Sequence, residues 1–404
     1  MNKSLIMVGL GLVLALASPV LKAAGADTVQ LTGHVPAIVS QLASKGHFAS
    51  TNLNLAIGLP LRNSEALTNL LQQISDPRSA NYHKYLTPAQ FTEQFGPTEA
   101  DYEAVVNFAL KNGLRVTARH SNRMLLDVSG KSTDVEKAFS VNFKIYHHPT
   151  EARDFFAPET EPSVPGNLAI VEVAGLSNYG RPVSHVKFKP DQALGNAGAQ
   201  SAGKATPSNG SGLDGNYIGD DFRNAYIPGS ALEGSGQQVA LVQFDGFFAS
   251  DIQQYETMAN RTNIPLNTIL IDGYNGQPFS FDGNTECSLD IEMVVSMAPA
   301  IAQIDIYEGN PLNFLPNDVM NKIATDNIAH QVSSSWAWYG FPAKVTDQIL
   351  QEMALQGQTV FFATGDGHNI LVSPRFGPRH LLADAGQFII APAFVIQFWV
   401  GSFA

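Results

Sequence analysis

Two acidic residues four positions apart, Glu286 and Asp290, are the first candidates for chemistry in this sequence. In a helix this spacing places both carboxylates on one face, about one turn apart. Their repulsion favours keeping one proton and raises one pKa, which lets a carboxylate act as a general base in acidic water. Such a pair is more often a solvated helix face. Here the apolar helix pattern and a loop predicted just before it, 282–284, favour a functional pair.

A third candidate, Asp366, follows a short apolar pattern, Thr359–Ala363, that predicts a strand. The carboxyl end of such a strand is the functional edge of a parallel sheet. Gly365 and Gly367 on either side let the backbone turn sharply and approach a ligand. An ordinary turn aspartate has the same pattern, so this residue depends on other support.

Asp245, at the end of the predicted strand Val239–Phe244, has the position of the aspartate in a subtilisin-type triad. That triad also needs a histidine in a short loop-to-helix motif and a Gly-Thr-Ser nucleophile. The chain contains no Gly-Thr dipeptide, and no histidine after Asp245 stands in such a motif. The paired Asp-Thr-Gly or Asp-Ser-Gly of pepsin-like enzymes is also missing, as are a phosphate-binding glycine loop and a metal-binding histidine pair.

The composition restricts the classes of partner. Acidic residues outnumber basic ones by 36 to 24, and the net charge of −12 repels phosphate backbones, so we expect no nucleic acid partner. The single cysteine, Cys287, excludes a disulfide within the chain and a cysteine metal cage, and it reads as a small apolar filler.

Residues 1–26 resemble an export signal. Lys3 gives a positive start and Leu5–Ala17 an apolar run of the length that signals use. A membrane anchor would need about 20 apolar residues, and the run is interrupted too early. We therefore expect a secreted protein, extracellular or periplasmic if bacterial, that does not stay in the membrane.

The rest of the chain divides into four segments by pattern. Residues 27–188 alternate helices with short strands, which favours a split βαβ sandwich. Residues 189–213 are rich in Gly, Ser, Ala and Pro and predict a linker, where proteolysis is easiest. Residues 214–366 alternate strand and helix, which predicts a parallel sheet with right-handed crossovers. Residues 367–404 break that rhythm, although their apolar end could form a buried strand.

Several segments resemble the sedolisins, serine-carboxyl peptidases with a subtilisin-like fold that work in acid. The likeness to their activation domain is carried by Asn81–Gly96, Asn122–Gly130, Val135–Phe139 and Phe155–Pro165. The likeness to their peptidase domain is carried by Gly234–Gly246, Glu286-x-x-x-Asp290, Ser335-Trp336 and Gly365-Asp366. The resemblance covers about residues 30 to 366 and implies a ferredoxin-like α+β activation domain, followed by an incomplete subtilisin-like parallel-sheet peptidase domain.

The resemblance also implies a role for each candidate residue. Glu286 would be the general base, Asp290 would orient it, and protonated Asp366 would donate a hydrogen bond to the oxyanion. Ser335 and Trp336 would lie in the substrate cleft. The implied partners are protein and peptide substrates, with the activation domain as an intramolecular inhibitor, as in a zymogen.

The sequence departs from the family pattern in three places. Gly367 stands where serine is usual, and Ala337 stands where glycine is usual. The nucleophilic Gly-Thr-Ser and the calcium ligands of intact family members find no match in 367–404. We therefore expect a chain truncated before the nucleophile, with no cofactor of its own. The alternative is a catalytically dead remnant that acts as an inhibitory or peptide-binding protein.

Overall fold

The computed structural model describes residues 27–48, 51–184, 210–212, 215–338 and 342–363, and the backbone of 389–391. The elements of the N-terminal region, in chain order, are β1 (Thr28–Gln30), a 3₁₀ helix (Ala37–Gln41), β2 (Gly46–His47), β3 (Asn52–Gly58), α1 (Ser64–Ser75), α2 (Pro88–Gln94), α3 (Glu99–Lys111), β4 (Arg115–Arg119), β5 (Leu125–Lys131), α4 (Ser132–Phe139), β6 (Phe143–His147), β7 (Asp154–Pro158), β8 (Ser163–Pro165), β9 (Glu172–Ala174) and β10 (Val183–Ser184).

The remaining elements belong to the second region. They are α5 (Asp220–Tyr226), β11 (Gln238–Gln243), α6 (Ala249–Met258), β12 (Leu266–Leu270), α7 (Phe281–Met297), β13 (Gln303–Glu308), α8 (Pro316–Asp326), β14 (Gln331–Ser334), β15 (Trp336–Ala337), α9 (Lys344–Leu355), β16 (Thr359–Ala363) and β17 (Ile389–Ala391).

The N-terminal region is built on a four-stranded sheet in the order β4-β5-β3-β9, with every pair antiparallel. Helices α3 and α4 are the crossovers of a βαββαβ unit, which is the ferredoxin-like arrangement. The predicted split βαβ sandwich is therefore confirmed. Strands β2, β6 and β7 form a separate antiparallel sheet, and β1 pairs with β8.

Helices α2 and α3 of this region begin where the sequence supplies a side-chain cap. Thr87 and Gln90 form a reciprocal capping box at the start of α2, with the Thr87 amide donating to Gln90 Oε1 at 2.9 Å. Thr98 caps α3 by accepting from the Asp101 amide at 3.1 Å. Gly113, at φ +80°, follows its end.

The second region is built on a six-stranded sheet in the order β12-β13-β11-β14-β16-β17, and all its strands are parallel. The predicted parallel sheet is confirmed. The first strand along the chain, β11, lies inside the sheet, and the later strands are added on both sides of it. In such a sheet the crevice beside the reversal point, at the carboxyl ends of the strands, is the usual ligand site.

One predicted boundary is wrong. The loop predicted at 282–284 lies within the first turn of α7, which begins at Phe281. Ser280 is the reason, because its side chain caps the helix by accepting from the Gly283 amide at 3.0 Å.

The two regions meet along a broad contact between residues 27–184 and helices α8 and α9, which we call the docking face. Helices α1 and α2 supply its apolar part, and one continuous core contains residues from both sides, including Leu71, Phe91, Val319, Ile349 and Met353. Within the described residues, no helix combines the length and apolar character needed to cross a bilayer.

Several predictions fall outside the described residues. They are the signal at 1–26, the linker apart from 210–212, and Asp366. Of the segment 367–404, only the backbone of 389–391 is described, and there β17 pairs in parallel with β16. This strand agrees with the expectation of a strand in the apolar end. The predicted domain boundaries remain predictions.

Candidate active site

Asp245 fixes the start of helix α7, which carries the acidic pair. Its Oδ1 accepts from the Phe279 amide at 2.6 Å, and its Oδ2 accepts from the Ser280 amide and hydroxyl at 3.0 and 2.8 Å. A Cβ on Gly283 would lie 2.2 Å from Asp245 Oδ2, so only glycine allows this approach. A residue that resembled a triad aspartate in the sequence thus anchors the helix of the pair.

Asp290 receives a hydrogen bond on each carboxylate oxygen. Ser335 Oγ donates to Oδ1 at 2.6 Å, and Gln243 Nε2 donates to Oδ2 at 2.8 Å. The indole N–H of buried Trp336 donates to Gln243 Oε1 at 2.6 Å. A chain of donors therefore runs from Trp336 through Gln243 to Asp290 and fixes the orientation of its carboxylate.

Burial of its carboxyl group and the nearby charge of Glu286 raise the pKa of Asp290 to about 7. The hydrogen bonds from Ser335 and Gln243 act in the opposite direction, but they do not cancel the effect. Because the two carboxyls interact, the protons leave the pair in two steps that belong to both. Below about pH 7 the pair therefore retains a proton, as the i,i+4 spacing predicts.

Glu286 is buried and in contact with the end of the N-terminal region. The hydroxyl of Ser184, in β10, donates to Glu286 Oε2 at 2.8 Å. Strand β10 pairs antiparallel with β15, and Ser184 stands opposite Trp336. The last described residues before the predicted linker thus lie directly on the acidic pair.

The site occupies the position that the sheet predicts. Gln243 is the last residue of β11, and Ser335 directly follows β14, the neighbour of β11 on one side. Helix α7 brings Glu286 and Asp290 to the same edge, at the carboxyl ends of these strands. The fold therefore brings four predicted residues together at the expected crevice.

The structure also contains two site residues that sequence reasoning missed. Gln243 had a weak signal, since it is a polar residue within the apolar strand pattern Val239–Phe244. Ser184 had none, because its place depends on pairing with a strand about 150 positions later. Asp366 lies outside the described residues, and its role as oxyanion donor stays a prediction, as do the roles of Ser335 and Trp336 in a substrate cleft.

Within the described residues, a group of histidine and acidic side chains that could hold a metal ion lies away from this site. His120, Asp127 and Asp318 each offer a ligand atom, and these atoms lie within 4.8 Å of one another. They belong to the docking face and not to the site of Glu286. The predicted lack of metal ligands at the acidic pair itself stays a prediction.

Comparison with known proteins supports a single family. The family model described as pro-kumamolisin, activation domain, matches residues 44–179. Xanthomonalisin of Xanthomonas sp. (strain T-22) is 28% identical over 336 residues, and sedolisin of Pseudomonas sp. (strain 101) is 27% identical over 334 residues. The chain is a sedolisin homologue. The resemblance predicted from the sequence is thereby confirmed.

The sedolisin homology extends over most of this chain but over only part of each relative. The matches cover 78% and 79% of the chain, but 39% of xanthomonalisin and 54% of sedolisin. A solved structure, Pseudomonas sedolisin complexed with two molecules of pseudo-iodotyrostatin, covers 36% of this chain and 43% of its own, at 23% identity and a TM-score of 0.33.

Proposed function

We propose that this chain is the precursor of a secreted serine-carboxyl peptidase that hydrolyses peptide bonds in acidic surroundings. The observation that carries this proposal is the pair of Glu286 and Asp290 at the carboxyl edge of the parallel sheet, with Asp290 held by Ser335 and Gln243. The sedolisin homologues support the same chemistry.

Glu286 is the proposed general base. A base must lie within hydrogen-bond reach of the proton that it takes, and Glu286 Oε2 holds a serine hydroxyl, that of Ser184, at 2.8 Å. Below about pH 7 the pair holds one proton, which belongs to both carboxyls, and its other negative charge remains available to a base. In the proposed step Glu286 takes the proton of an attacking hydroxyl and then gives it to the leaving amine.

The nucleophile is the open part of this proposal. No residue of this sequence matches the nucleophilic serine of the family pattern. Asp366, the proposed oxyanion donor, lies outside the described residues. The resemblance implies calcium for intact family members. No residues of this sequence match the ligands that bind it there. The chemistry proposed for this chain is therefore that of the acidic pair and the cleft.

The activation domain is the proposed inhibitor of the same site. Strand β10 adds to β15 as an antiparallel strand, which is how extended peptides bind to exposed sheet edges. The Ser184 hydroxyl meanwhile occupies Glu286. A peptide substrate that used this edge would have to displace β10, so the precursor blocks its own cleft.

Two parts of this proposal rest on the sequence. Export depends on the signal predicted at 1–26, and it places the protein outside the cell or in the periplasm. The net charge of −12 favours protein and peptide partners over nucleic acid.

The experiment is a peptide hydrolysis and binding assay on the chain without residues 1–26, at about pH 3 to 5, where a carboxylate base and a protonated aspartate can coexist. Glu286→Gln is the test variant. Glu292→Gln is the matched control, because Glu292 lies on the same helix and burial raises its pKa to about 7 as well.

Turnover that Glu286→Gln abolishes and Glu292→Gln keeps would establish the peptidase. Peptide binding without turnover would support the alternative, an inhibitory or peptide-binding protein. Turnover that survives in Glu286→Gln would contradict the assignment of the base.

A further inference from the structure

Three aspartates meet where the two regions of the chain touch. Asp127 lies on β5 of the N-terminal region, Asp318 lies in the first turn of α8, and Asp272 follows β12. The carboxyl groups of Asp272 and Asp318 face each other, and Asp127 lies close enough to influence both. The cluster is therefore assembled only when the two regions are docked.

Several carboxylate oxygens of this cluster are buried without a hydrogen-bond donor. Asp318 is 1% exposed, and neither of its oxygens accepts a hydrogen bond within the described part of the chain. The same holds for Asp127 Oδ1 and Asp272 Oδ2. Buried charge without a partner is costly, so four such oxygens at one place call for a ligand.

His120 connects Asp127 to a hydrogen-bond network on the docking face. Asn122 Nδ2 donates to Asn321 Oδ1 at 2.6 Å, which turns Asn321 Nδ2 toward His120 Nδ1 at 2.9 Å. On the other side of the ring, His120 Nε2 lies 2.9 Å from Asp127 Oδ2. His120 thus orients Asp127 and leaves its Oδ1 free for another ligand.

We propose that Asp127, Asp272 and Asp318 bind a divalent cation across the docking face. A set of carboxylate oxygens suits hard cations, the class of Ca²⁺, Mg²⁺ and Mn²⁺. The ligand atoms of Asp127 and Asp318 already lie within 4.8 Å of each other. His120 acts as the outer hydrogen-bond donor that orients a ligating carboxylate, as is common around metal ions.

A proton is the competing explanation. One proton shared between Asp272 and Asp318 would join two of the four unpartnered oxygens and leave Asp127 Oδ1 without a partner. A divalent cation offsets two negative charges and would lie between Asp127 and Asp318, whose ligand atoms are within 4.8 Å of each other. It would also link residues from both regions, and so hold the activation domain on the peptidase sheet.

This site is separate from the acidic pair and from the calcium that the resemblance implies. Glu286 and Asp290 contribute nothing to it, and the calcium ligands of the family were expected beyond Asp366. Cation binding at this cluster therefore does not depend on the proposed peptidase activity.

The experiment uses the chain without residues 1–26, treated with a chelator at neutral pH and then titrated with Mn²⁺. Binding is followed by the paramagnetic resonance signal of free Mn²⁺, with Ca²⁺ as competitor, and thermal unfolding is recorded in parallel. We expect about one ion per chain and a thermal midpoint that rises with occupancy. Asp318→Asn should weaken binding by about tenfold or more.

Glu308→Gln is the matched control, because Glu308 is also a buried acid whose two oxygens have no described donor. It should bind Mn²⁺ like the parent chain. Asp318→Asn removes a buried carboxyl whose oxygens accept no described hydrogen bond, so in chelator it should melt no lower than the parent; if it does not fold, Asp127→Asn replaces it. No Mn²⁺ binding by the parent, or equal binding by the folded aspartate variants, would overturn the proposal.

Discussion

The N-terminal region touches the rest of the molecule in two very different ways. At the cleft, β10 contributes two residues, one short ladder with β15 and the hydrogen bond from Ser184 to Glu286. At the docking face, helices α1 and α2 share a continuous apolar core with α8 and α9. The segment proposed to block the site is thus held in place mainly by contacts made elsewhere.

The docking face also depends on buried acids. Glu172 of β9 accepts from the Val345 amide at 3.2 Å, at the start of α9, where Ala343 offers no side-chain cap. Glu352 of α9 accepts from Asn122 Nδ2 at 2.7 Å. Burial raises the pKa of Glu172 to about 7 and that of Glu352 to about 8. This face is therefore sensitive to pH in a way that apolar packing is not.

The largest expected effect is a loss of stability as the pH rises. Glu172 and Glu352 bind a proton more tightly in the folded chain than in the unfolded one, where their pKa is near 4.5. The folded state therefore holds more protons between about pH 4.5 and pH 7 through Glu172, and up to about pH 8 through Glu352. In its own window each group lowers the free energy of unfolding by up to about 1.4 kcal/mol per pH unit. Urea unfolding at about pH 5 and pH 8 measures this slope.

Glu352→Gln should flatten that slope. Both oxygens of Glu352 accept from amide groups, Asn122 and Gln356, so the variant should lose about 1 kcal/mol at acidic pH through one mismatched hydrogen bond. Glu99→Gln, at an exposed position in the first turn of α3, is the control and should keep the slope of the parent chain. An unchanged slope in Glu352→Gln would remove this acid from the explanation.

The next effect concerns the close approach of β3 to α9. A Cβ on Gly58 would lie 2.3 Å from Val345 Cγ2, across the docking face. Gly58→Ala should therefore destabilise the chain by about 1 to 3 kcal/mol through overpacking. Adding Val345→Ala should recover part of this loss, so a double-mutant cycle should show coupling. Strictly additive effects would mean that the two residues do not meet.

A smaller effect is expected at the acidic pair itself. Trp336→Phe removes the indole N–H that orients Gln243, which in turn donates to Asp290. Since that donation lowers the pKa of Asp290, we expect its pKa to rise, measured by NMR titration of the carboxyl carbon. The control is Trp338→Phe, because Trp338 packs against Phe244 by ring contact. Equal shifts in both variants would indicate a packing effect.

The smallest effect should come from Ser184→Ala. It removes one hydrogen bond to Glu286 and should cost about 1 kcal/mol or less, because the site is partly open to water. Amide hydrogen exchange should become faster in β10 and β15 and stay unchanged in α8 and α9. Ser163→Ala, in β8, serves as the control. Faster exchange across the docking face would show that the two contacts are not independent.

The sequence predicted the elements with local signals far better than the contacts between them. Each local signal lies in residues that are close together in the sequence. Examples are the cap at Thr87, the turn at Gly113 and the alternation of strand and helix after residue 214. Helix α5 (Asp220–Tyr226) and strand β10 were not predicted. Strand β10 has no local signal, because it forms only by pairing with distant residues.

The candidate site was predictable where spacing sufficed. The spacing of Glu286 and Asp290 in one helix predicts the pair. The orientation of Gln243 toward Asp290 depends on the hydrogen bond from the indole of Trp336, which the sequence does not indicate. Asp245 had the position of a triad residue, but its hydrogen bonds fix the start of α7. No motif joins Asp127 to Asp318, since they are 191 positions apart and meet only after the two regions dock.

The position of β10, directly before the predicted linker, affects how a blocked cleft would open. A cut within 189–213 leaves Val183 and Ser184 attached to the N-terminal region, so the blocking strand is not destroyed. What changes is its concentration: a tethered segment acts at an effective concentration of the order of millimolar, and a released one acts at the bulk concentration of protein. Opening would then be governed by dilution after the cut, and concentrated protein would remain blocked even when every chain has been nicked.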